Sequence, residues 1–499
     1  MPKSAYTIQS MTLSFHSRIT FIRTRVSVAL VTAGLGAALL PSPVSTAGSE
    51  SDRLEKLEAA VQMLQTQNAE LKREVSDLKK TKPATHTAVA KSGATTGDGK
   101  SYVETTEVEK KPVYVTPAAS ETKLVLGGFA QAQFEAGEVN AYDGRLPGPL
   151  TTKTKDRFRL RRARINASGD FAEQFDFKLE GDFEIGDTGV NVRDAAGRTL
   201  ANSTNRVSFA ATDIFINWHA YPEANVKVGQ FKAPFGIEQL TPDTKLAFIE
   251  RSQVTEALTP ERQIGVQVWG KPFAELWPER KELLTYSAGI FNGSGRNTVT
   301  NDNNEFMYVG RIESQLFAGK LAGQDTTLKG GADYFTSRDD RGLNISQTGN
   351  LLVNTDGSLT SFVLPSAEER EGYGFDASLH VGPFDLVGEY LDERVRPRTV
   401  AGVLPTFNRF RANGYYISAG FYVIPKKLQL VTKWESFNPG QRADDDLQSI
   451  TGGINYYIHG DDLKLMAHYI HTWSDFRESN PQFGDDQFDE LLLRMQLMF

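Results

Sequence analysis

The last nine residues of the chain, LLLRMQLMF at positions 491–499, decide the predicted fold class. Alternate positions are apolar: Leu491, Leu493, Met495, Leu497 and Phe499. The positions between them include the polar residues Arg494 and Gln496, although Leu492 and Met498 interrupt the alternation. A period of two, with one apolar face and one mostly polar face, is typical of a strand with lipid outside and water inside. An aromatic last residue on such a strand is typical of bacterial outer-membrane barrels, so we expect a transmembrane β-barrel whose charges point inward.

Composition narrows the class of protein further. The 499 residues are 39% hydrophobic, with a mean hydropathy of −0.37, which excludes a helical membrane protein. A barrel shows little bulk hydrophobicity because half of each strand faces water. The chain contains no cysteine, so it forms neither a disulfide nor a thiolate metal site. Its 43 glycines and 10% aromatic residues suit tight turns and interfacial girdles.

Residues 1–47 have the features of a secretory signal peptide. The basic region contains Arg18, Arg23 and Arg25. An apolar stretch follows at 26–40, and it is too short to cross a membrane comfortably. Small residues before the proposed cut suit cleavage after Ala47. A signal anchor that stays attached is the alternative.

A coiled coil is predicted at 48–80. Apolar residues fill the a and d positions of four heptads: Leu54, Leu57, Val61, Leu64, Leu71, Val75 and Leu78. Asn68 occupies an a position, where a buried amide specifies register and strand number. The pattern alone favours a dimer, but attachment to a trimeric barrel would impose three strands. A single amphipathic helix is the alternative for 48–80. Residues 81–121 are rich in small and polar residues, which predicts a flexible periplasmic linker.

From position 122 onward the pattern becomes that of strands, and 122–499 is the predicted barrel. Long polar connectors are predicted at 137–156, 187–207, 232–262, 292–304, 338–370, 396–410, 438–446 and 475–486. Shorter connectors are predicted at 169–174, 221–225, 270–281, 317–325, 381–385, 424–427 and 459–462. Eight long and seven shorter connectors join 16 antiparallel strands, which leave a water-filled channel. Eighteen strands are the alternative count, and a soluble β-sandwich or propeller is the alternative fold.

The segment DRFRLRRARI, residues 156–165, holds five arginines. A charge on the lipid face costs about 2–4 kcal/mol near the midplane, so these side chains are expected in the lumen or above the membrane. If Ala163 and Ile165 face lipid, Arg162 and Arg164 face inward. The remaining arginines have the opposite parity: Arg157, Arg159 and Arg161. Either a bulge switches the face or these three lie at the extracellular rim. Both arrangements line an entrance with guanidinium groups, which can each hold an oxyanion through two N–H donors. In the alternative interpretation the arginines form a row of positive charges that sets an electric field across the pore without binding a particular anion.

The connector at 232–262 is less polar than a free loop. Its apolar residues are Phe235, Leu240, Leu246, Phe248, Ile249, Val254 and Leu258. A long loop with apolar residues of its own is usually packed against another part of the protein. This is the third of the predicted long connectors, and the third loop of a porin folds inward and narrows the lumen. Cations that could face the pore are Lys232, Lys245, Arg251 and Arg262. Carboxylates are also present: Glu238, Asp243, Glu250, Glu256 and Glu261.

Several stretches resemble the phosphate-selective porin O/P family. They are residues 157–169, 213–219, VKVGQFKAPFG at 226–236 and FIER at 248–251. With the coiled coil, the resemblance covers most of the chain after the leader. It implies a trimeric 16-stranded porin that admits phosphate or other small anions along basic residues of strands and inward loops. By position, the matching residues are Arg157, Arg159, Arg161, Arg162, Arg164, Lys227, Lys232, Lys245 and Arg251.

The total charge of the barrel does not favour anions. The chain has 55 basic and 62 acidic residues, of which 16 basic and 12 acidic residues precede position 124. The barrel from position 124 onward therefore has 39 basic and 50 acidic residues, a net charge of −11. Local charge in the lumen, rather than this total, sets selectivity. Acidic groups at 444–446 and 485–490 lie in or near predicted loops, where divalent ions or lipopolysaccharide are the expected partners.

The sequence contains no motif that would favour an enzyme over a channel. The sequence contains no G-x-S-x-G, H-E-x-x-H or P-loop, and it implies no cofactor, no metal and no nucleic acid. His468 and His471 are expected on opposite faces of a strand. We therefore expect a passive outer-membrane porin for small anions such as phosphate, with the coiled coil in the periplasm. A general or sugar porin is one alternative, and a tether that reaches peptidoglycan through the coiled coil is another.

Overall fold

Sixteen strands close into one antiparallel barrel in the part of the chain that the computed structural model describes. The described residues are 122–137, 156–193, 199–301, 303–340, 350–353, 359–362, 368–402, 408–440, 443–481 and 485–499. The predicted barrel and its 16 strands are confirmed. The alternative of 18 barrel strands is wrong, because the two additional strands in the described residues pair only with each other.

The strands in chain order are β1 (Thr122–Gly137), β2 (Arg157–Phe171), β3 (Phe175–Arg193), β4 (Thr199–Tyr221), β5 (Ala224–Lys232), β6 (Arg262–Gly270), β7 (Thr285–Phe291), β8 (Met307–Leu321), β9 (Gln324–Asp339), β10 (Asn350–Val353), β11 (Leu359–Phe362), β12 (Glu368–Val381), β13 (Phe384–Pro397), β14 (Phe410–Ile424), β15 (Leu428–Asn438), β16 (Leu447–His459), β17 (Leu463–Ser474) and β18 (Gln487–Met498). The separate pair is β10 and β11. Short helices are α1 (Ile237–Leu240), α2 (Gln253–Leu258) and α3 (Asp475–Ser479), with a 3-10 turn at Pro278–Arg280.

The first and last strands pair and close the barrel. The N–H of Gly128 donates to the carbonyl oxygen of Phe499, and the N–H of Phe499 donates to the carbonyl oxygen of Gly128, both at 3.0 Å. The five alternate apolar residues of 491–499 are exposed, whereas Arg494 and Gln496 are buried inside the barrel. The alternation at the end of the chain therefore does separate an outer from an inner face.

The outer face of the barrel is apolar. Large apolar side chains that point away from the lumen are exposed, and Ile216, Ile312 and Phe375 are each more than half exposed. Exposing apolar surface to water costs roughly 25 cal/mol per Å², and lipid removes that cost. The exposed belt therefore indicates a barrel whose outer wall contacts lipid.

Shorter and longer connectors alternate between the barrel strands in the predicted order, but β3 and β4 are joined by only five residues, 194–198. Two boundaries differ from the prediction. The connector predicted at 317–325 is a two-residue turn, since β8 continues to Leu321 and the left-handed Ala322 and Gly323 reverse the chain directly. The loop predicted at 187–207 is mostly strand, because β3 and β4 remain paired. Hydrogen bonds between strand backbones do not require apolar side chains, so the polar segments of β3 and β4 can continue as paired strands beyond the apolar belt.

The predicted signal peptide (1–47), coiled coil (48–80) and linker (81–121) lie outside the described residues. Those three assignments stay predictions. Among the described helices, none has the length and apolar content needed to cross a membrane.

Candidate functional site

The connector between β5 and β6, residues 233–261, runs inside the barrel and is called the inward loop below. It contains α1 and α2, and α2 lies against β13, β14 and β15. Six of its seven predicted apolar residues are buried: Phe235, Leu246, Phe248, Ile249, Val254 and Leu258. Phe235 packs edge-on against Phe335 of β9, with ring centroids 5.0 Å apart. The apolar content of this loop therefore reflects a core built inside the lumen.

A second apolar cluster joins the inward loop to the last strands. Ile249 packs with Met466 and Ile470 of β17 and with Leu492 of β18. Leu492 is one of the two residues that interrupt the alternation of the last strand, and it is 1% exposed. It faces the lumen, where an apolar side chain is stable because the loop covers it. Leu492 therefore interrupts the alternation because it packs against the inward loop.

Glu250 of the inward loop gathers hydrogen-bond donors from three strands. Its carboxylate accepts hydrogen bonds from Arg161 at 3.1 Å, from Arg494 at 2.7 Å and from the amide of Gln133 at 3.1 Å. Burial raises the pKa of Glu250, but the surrounding guanidiniums, Arg161 and Arg494 foremost, together hold it well below its usual range. Glu250 is therefore a stable anion at the inner wall.

Asp243 of the same loop forms the second anionic contact. Arg164 of β2 and Arg251 of the loop each donate to it at 2.6 Å, and Arg162 lies 3.5 Å away. Burial raises the pKa of Asp243, but Arg162, Arg251 and Arg164 together hold it well below its usual range. Two loop carboxylates thus neutralise much of the arginine cluster of β2.

The loop presents backbone N–H groups to carboxylates on the opposite wall. The N–H of Gly236 donates to Asp333 at 3.2 Å, that of Ile237 donates to Glu389 at 2.7 Å, and that of Gln253 donates to Glu435 at 3.0 Å. The acceptors come from β9, β13 and β15. The starts of α1 and α2 in the loop therefore satisfy their backbone donors on an acidic wall, which a buried loop needs.

Carbonyl groups of the loop find donors on β16 and β17. Lys464 donates to the carbonyl oxygens of Thr244 at 2.8 Å and Leu246 at 3.2 Å, and the amide of Asn455 donates to Ala247 at 2.8 Å. His468 accepts the N–H of Ile249 at 3.2 Å. The loop is hydrogen-bonded along its length to the wall, so its position is set by side chains from many strands.

All five arginines of β2 reach the lumen, and a bulge makes this possible. Gln131 of β1 lies opposite Arg162, but the next residue, Ala132, lies opposite Leu160, so Arg161 is the additional residue of the bulge. Phe158 and Leu160 point outward. Of the two arrangements open from the sequence, the structure contains the bulge. The shortest contacts are Arg157–Glu135 2.6 Å, Arg159–Glu135 2.6 Å, Arg161–Glu250 3.1 Å, Arg162–Gln131 3.2 Å and Arg164–Asp243 2.6 Å.

The other sequence-predicted cations occupy varied environments. Lys232 donates to the carbonyl oxygens of Gln239 and Thr241, and Arg262 contacts Asp213 at 2.7 Å. Arg251 is held within the loop by the Asp243 contact. Lys227 lies over the rings of three aromatic residues, Phe215, Phe231 and Trp269. Lys245 is exposed on the inward loop.

Two cavities adjoin the inward loop. The larger, about 710 Å³, extends toward the short connectors and is lined by Lys245, Lys227 and Lys329 among others. The smaller, about 360 Å³, lies beside β1, β2 and β3. Residues common to both cavities are Lys178, Asp213, Lys232, Leu240 and Pro242, called the junction group below. A solute that moves from one cavity to the other would pass this group.

Three buried carboxylates, Asp333, Asp376 and Glu389, lie with ligand atoms within 4.8 Å of one another. Arg311 donates to Asp333 at 2.8 Å and to Asp376 at 2.6 Å, and Glu389 accepts the loop N–H of Ile237. A guanidinium therefore supplies the positive charge that a metal ion would bring to this cluster.

Several cations of the inner wall were not predicted as site residues, although Arg494 was expected on the inward face of the last strand. Arg494, Lys464, Lys433 and Arg311 are all buried inside the barrel. A signal was available for the first two, because each lies between two outward apolar residues of its strand. No sequence signal identified the carboxylates that pair with the arginines, because the partners lie far apart in the chain.

The chain is similar to several known proteins. A family model described as "Phosphate-selective porin O and P" matches residues 134–499. An uncharacterized protein of Caulobacter vibrioides is 24% identical over 333 residues, which is 63% of this chain and 61% of that protein. Porin O of Pseudomonas aeruginosa is 22% identical over 467 residues, 83% of this chain and 96% of that protein. Among solved structures, a loop L8 deletion mutant of Vibrio cholerae OmpT is 9% identical with a TM-score of 0.48, over 76% of this chain and all of that one.

Proposed function

The chain belongs to the phosphate-selective porin O and P family, and from that premise we propose that it conducts small anions, phosphate or related oxyanions, by passive diffusion. It is an outer-membrane porin with a barrel wide enough for an aqueous path. The inward loop narrows that path, and lysines around the loop lower the barrier for an anion. No energy source or cofactor enters this mechanism.

The observation that carries the proposal is the placement of lysines along the two cavities. Lys178 and Lys232 belong to the junction group, and exposed Lys245 lines the larger cavity. An ammonium is a compact, strongly hydrated charge on a flexible stem, which suits brief contact with a passing anion. Conduction requires binding strong enough to admit an ion and weak enough to release it.

The arginines of β2 have a different part in this proposal. Each lies in contact with a glutamate, an aspartate or a glutamine side chain. Arg161, Arg162 and Arg164 hold the inward loop through Glu250 and Asp243, and all five shape the field at the entrance. A guanidinium tied to a buried carboxylate is a poorer site for a mobile anion than the exposed ammonium of Lys245. Lys178 of the junction group is itself paired with Glu180 at 2.8 Å and Asp213 at 3.1 Å. The anion path proposed here therefore depends on Lys245 more than on the arginines.

A specific observation favours a second candidate, a general porin with a transverse field. β12 is eight strands from β2 in either direction around the barrel. The wall at β9, β12 and β13 carries inward carboxylates: Asp333, Asp339, Glu368, Asp376, Glu389 and Glu393. Arginines on one side and carboxylates on the other would orient polar solutes without selecting anions.

Reversal potential across a salt gradient distinguishes the two candidates. Purified protein in planar bilayers, with chloride as the first anion, is expected to give an anion-selective potential. Added phosphate is expected to reduce the chloride current because both anions use the same lysines. A nonselective or cation-selective potential would refute anion conduction and support the transverse-field porin.

The trimer, the periplasmic coiled coil and contact with peptidoglycan are proposals that follow from the sequence. Deletion of residues 48–121 tests them together. Loss of cell-wall attachment with unchanged single-channel conductance would support the tether role, and a shift from trimer to monomer would assign trimerisation to the coiled coil. Unchanged attachment and assembly would refute both roles.

A further inference from the structure

The outer wall of the barrel carries a cluster of four arginines at the extracellular ends of three strands. We propose that this cluster, the outer arginine patch, binds the phosphorylated headgroup of a lipid of the outer leaflet. Its members are Arg338 of β9, Arg394 and Arg396 of β13, and Arg411 of β14. The inference depends on the position of the barrel in the outer membrane and not on the solute that it conducts.

The orientation of these arginines follows from strand alternation. Ser337, Val395 and Ala412 are buried on the inner face. Arginines adjacent to them in the chain must point outward, since successive side chains of a strand lie on opposite faces. The same alternation places Arg394 and Arg396 together on the outside of β13. None of the four therefore faces the lumen.

Strand register places the patch in two rows. In the first row Glu369 of β12 lies between Arg338 and Arg396. In the second row Arg394 lies directly opposite Arg411 on one side and opposite Glu371 on the other. Four arginines and two glutamates thus share six neighbouring positions, and two further carboxylates, Glu305 and Asp392, contact Arg338 and Arg411. The patch therefore owes its affinity for a phosphate to exposed guanidinium donors and not to an excess of positive charge.

Three of the carboxylates, Asp392, Glu369 and Glu371, are less exposed than the arginines that they contact. Arg411 contacts Asp392 at 2.5 Å and Arg394 lies 3.7 Å from the same residue, which is only 4% exposed. Glu369 and Glu371 are 21–24% exposed, whereas the four arginines are 45–55% exposed. A carboxylate uses at most a few of the five N–H donors of a guanidinium. The surface offered to the outside is therefore rich in unused cationic donors.

The depth of the patch matches a lipid headgroup. Tyrosines on the same outer face form a row below the arginines, toward the membrane centre: Tyr334, Tyr373, Tyr390 and Tyr415. Tyr334 and Tyr373 are paired across strands, as are Tyr390 and Tyr415. Tyrosine marks the membrane interface, and Arg394 follows Tyr390 by four residues, roughly 13 Å along the strand. Guanidinium groups at headgroup depth suit phosphate, which they bind through two parallel N–H donors.

The test uses the full-length protein in detergent, with lipid A and dephosphorylated lipid A as probes. The double variant Arg394→Gln with Arg411→Gln is expected to bind lipid A at least fivefold more weakly than the unaltered protein. Dephosphorylated lipid A is expected to bind the variant and the unaltered protein equally weakly. The matched control is Arg280→Gln with Lys320→Gln, which removes two exposed charges beside short connectors at the other end of the barrel.

Removal of Arg394 and Arg411 leaves Asp392 without its cations, so folding is checked by the heat-dependent shift in gel mobility. Arg338→Gln with Arg396→Gln serves as a second variant that keeps the Asp392 contacts, and it is expected to weaken binding as well. Unchanged lipid A binding in both variants overturns the proposal, as does equal affinity for dephosphorylated lipid A. A change in oligomeric state with unchanged lipid binding would assign the patch to contact between copies and would also overturn it.

Discussion

Glu250 of the inward loop accepts a hydrogen bond from Arg494 of the last strand at 2.7 Å, although 244 positions separate the two residues. The contact joins the loop that fills the lumen to the strand that closes the barrel. Arg161 of the β2 bulge shares the same carboxylate. One buried anion therefore links closure of the barrel to the position of the loop.

Replacement of Glu250 by glutamine is expected to loosen the inward loop. The substitution leaves buried Arg494 and half-buried Arg161 beside a neutral amide, and removal of one partner from a buried ion pair costs about 3–5 kcal/mol. We expect larger and noisier single-channel currents and a lower resistance to urea in lipid vesicles. Asp325→Asn is the control, because it breaks an ion pair that is more than 70% exposed and worth little. Equal effects of the two substitutions would contradict the assigned role of Glu250.

Leu492 and its neighbour Leu493 provide a matched test of the apolar loop contact. Leu492→Ala is expected to lower the free energy of unfolding by about 2–4 kcal/mol, because it opens a cavity against Ile249 and Met466. Leu493→Ala, on the lipid face, removes the same atoms without opening an internal cavity and is expected to cost less. Urea unfolding in vesicles measures both. A larger cost for Leu493→Ala would refute loop packing against β18.

Lys245 is the residue whose charge most directly tests anion conduction. Lys245→Glu reverses an exposed charge in the larger cavity, and we expect the ratio of anion to cation permeability to fall at least about twofold, since local charge sets selectivity. Lys320→Glu makes the same charge change at the short turn after β8 and is expected to leave the reversal potential unchanged. Identical potentials for Lys245→Glu and the unaltered protein would exclude Lys245 from the path.

The low pKa of Glu250 predicts a defined pH window for its contribution to stability. A carboxylate whose pKa is lowered in the folded state stabilises that state above the pKa of the unfolded chain, about 4.3 for glutamate. The stabilisation is lost as pH falls through the lower folded value. The difference in unfolding free energy between the unaltered protein and Glu250→Gln is therefore expected to stay constant from pH 7 to 5. It is expected to shrink only below about pH 4. A decline between pH 7 and 5 would contradict the low pKa.

The sequence predicted the β2 arginines as a group but not their arrangement. The alternation of Ala163 and Ile165 places Arg162 and Arg164 inward, and the reversed parity of Arg157 and Arg159 left two arrangements open. A bulge inserts one residue into a strand and has no compositional signature, so only the register with β1 reveals that Arg161 is the additional residue. For the same reason the outward direction of the outer arginine patch follows from neighbouring buried residues and not from composition.

The sequence by itself determined the class of fold. A two-residue period and the alternation of short with long connectors are local properties, and hydrogen bonding between successive strands converts them directly into a barrel of 16 strands. Only the tertiary structure decided which carboxylate meets which cation inside that barrel. Glu250 with Arg494, and Asp243 with Arg164, are contacts across the lumen between distant parts of the chain. They form because closure and the inward loop bring opposite charges into one buried volume, where the cost of burial falls only when those charges are paired.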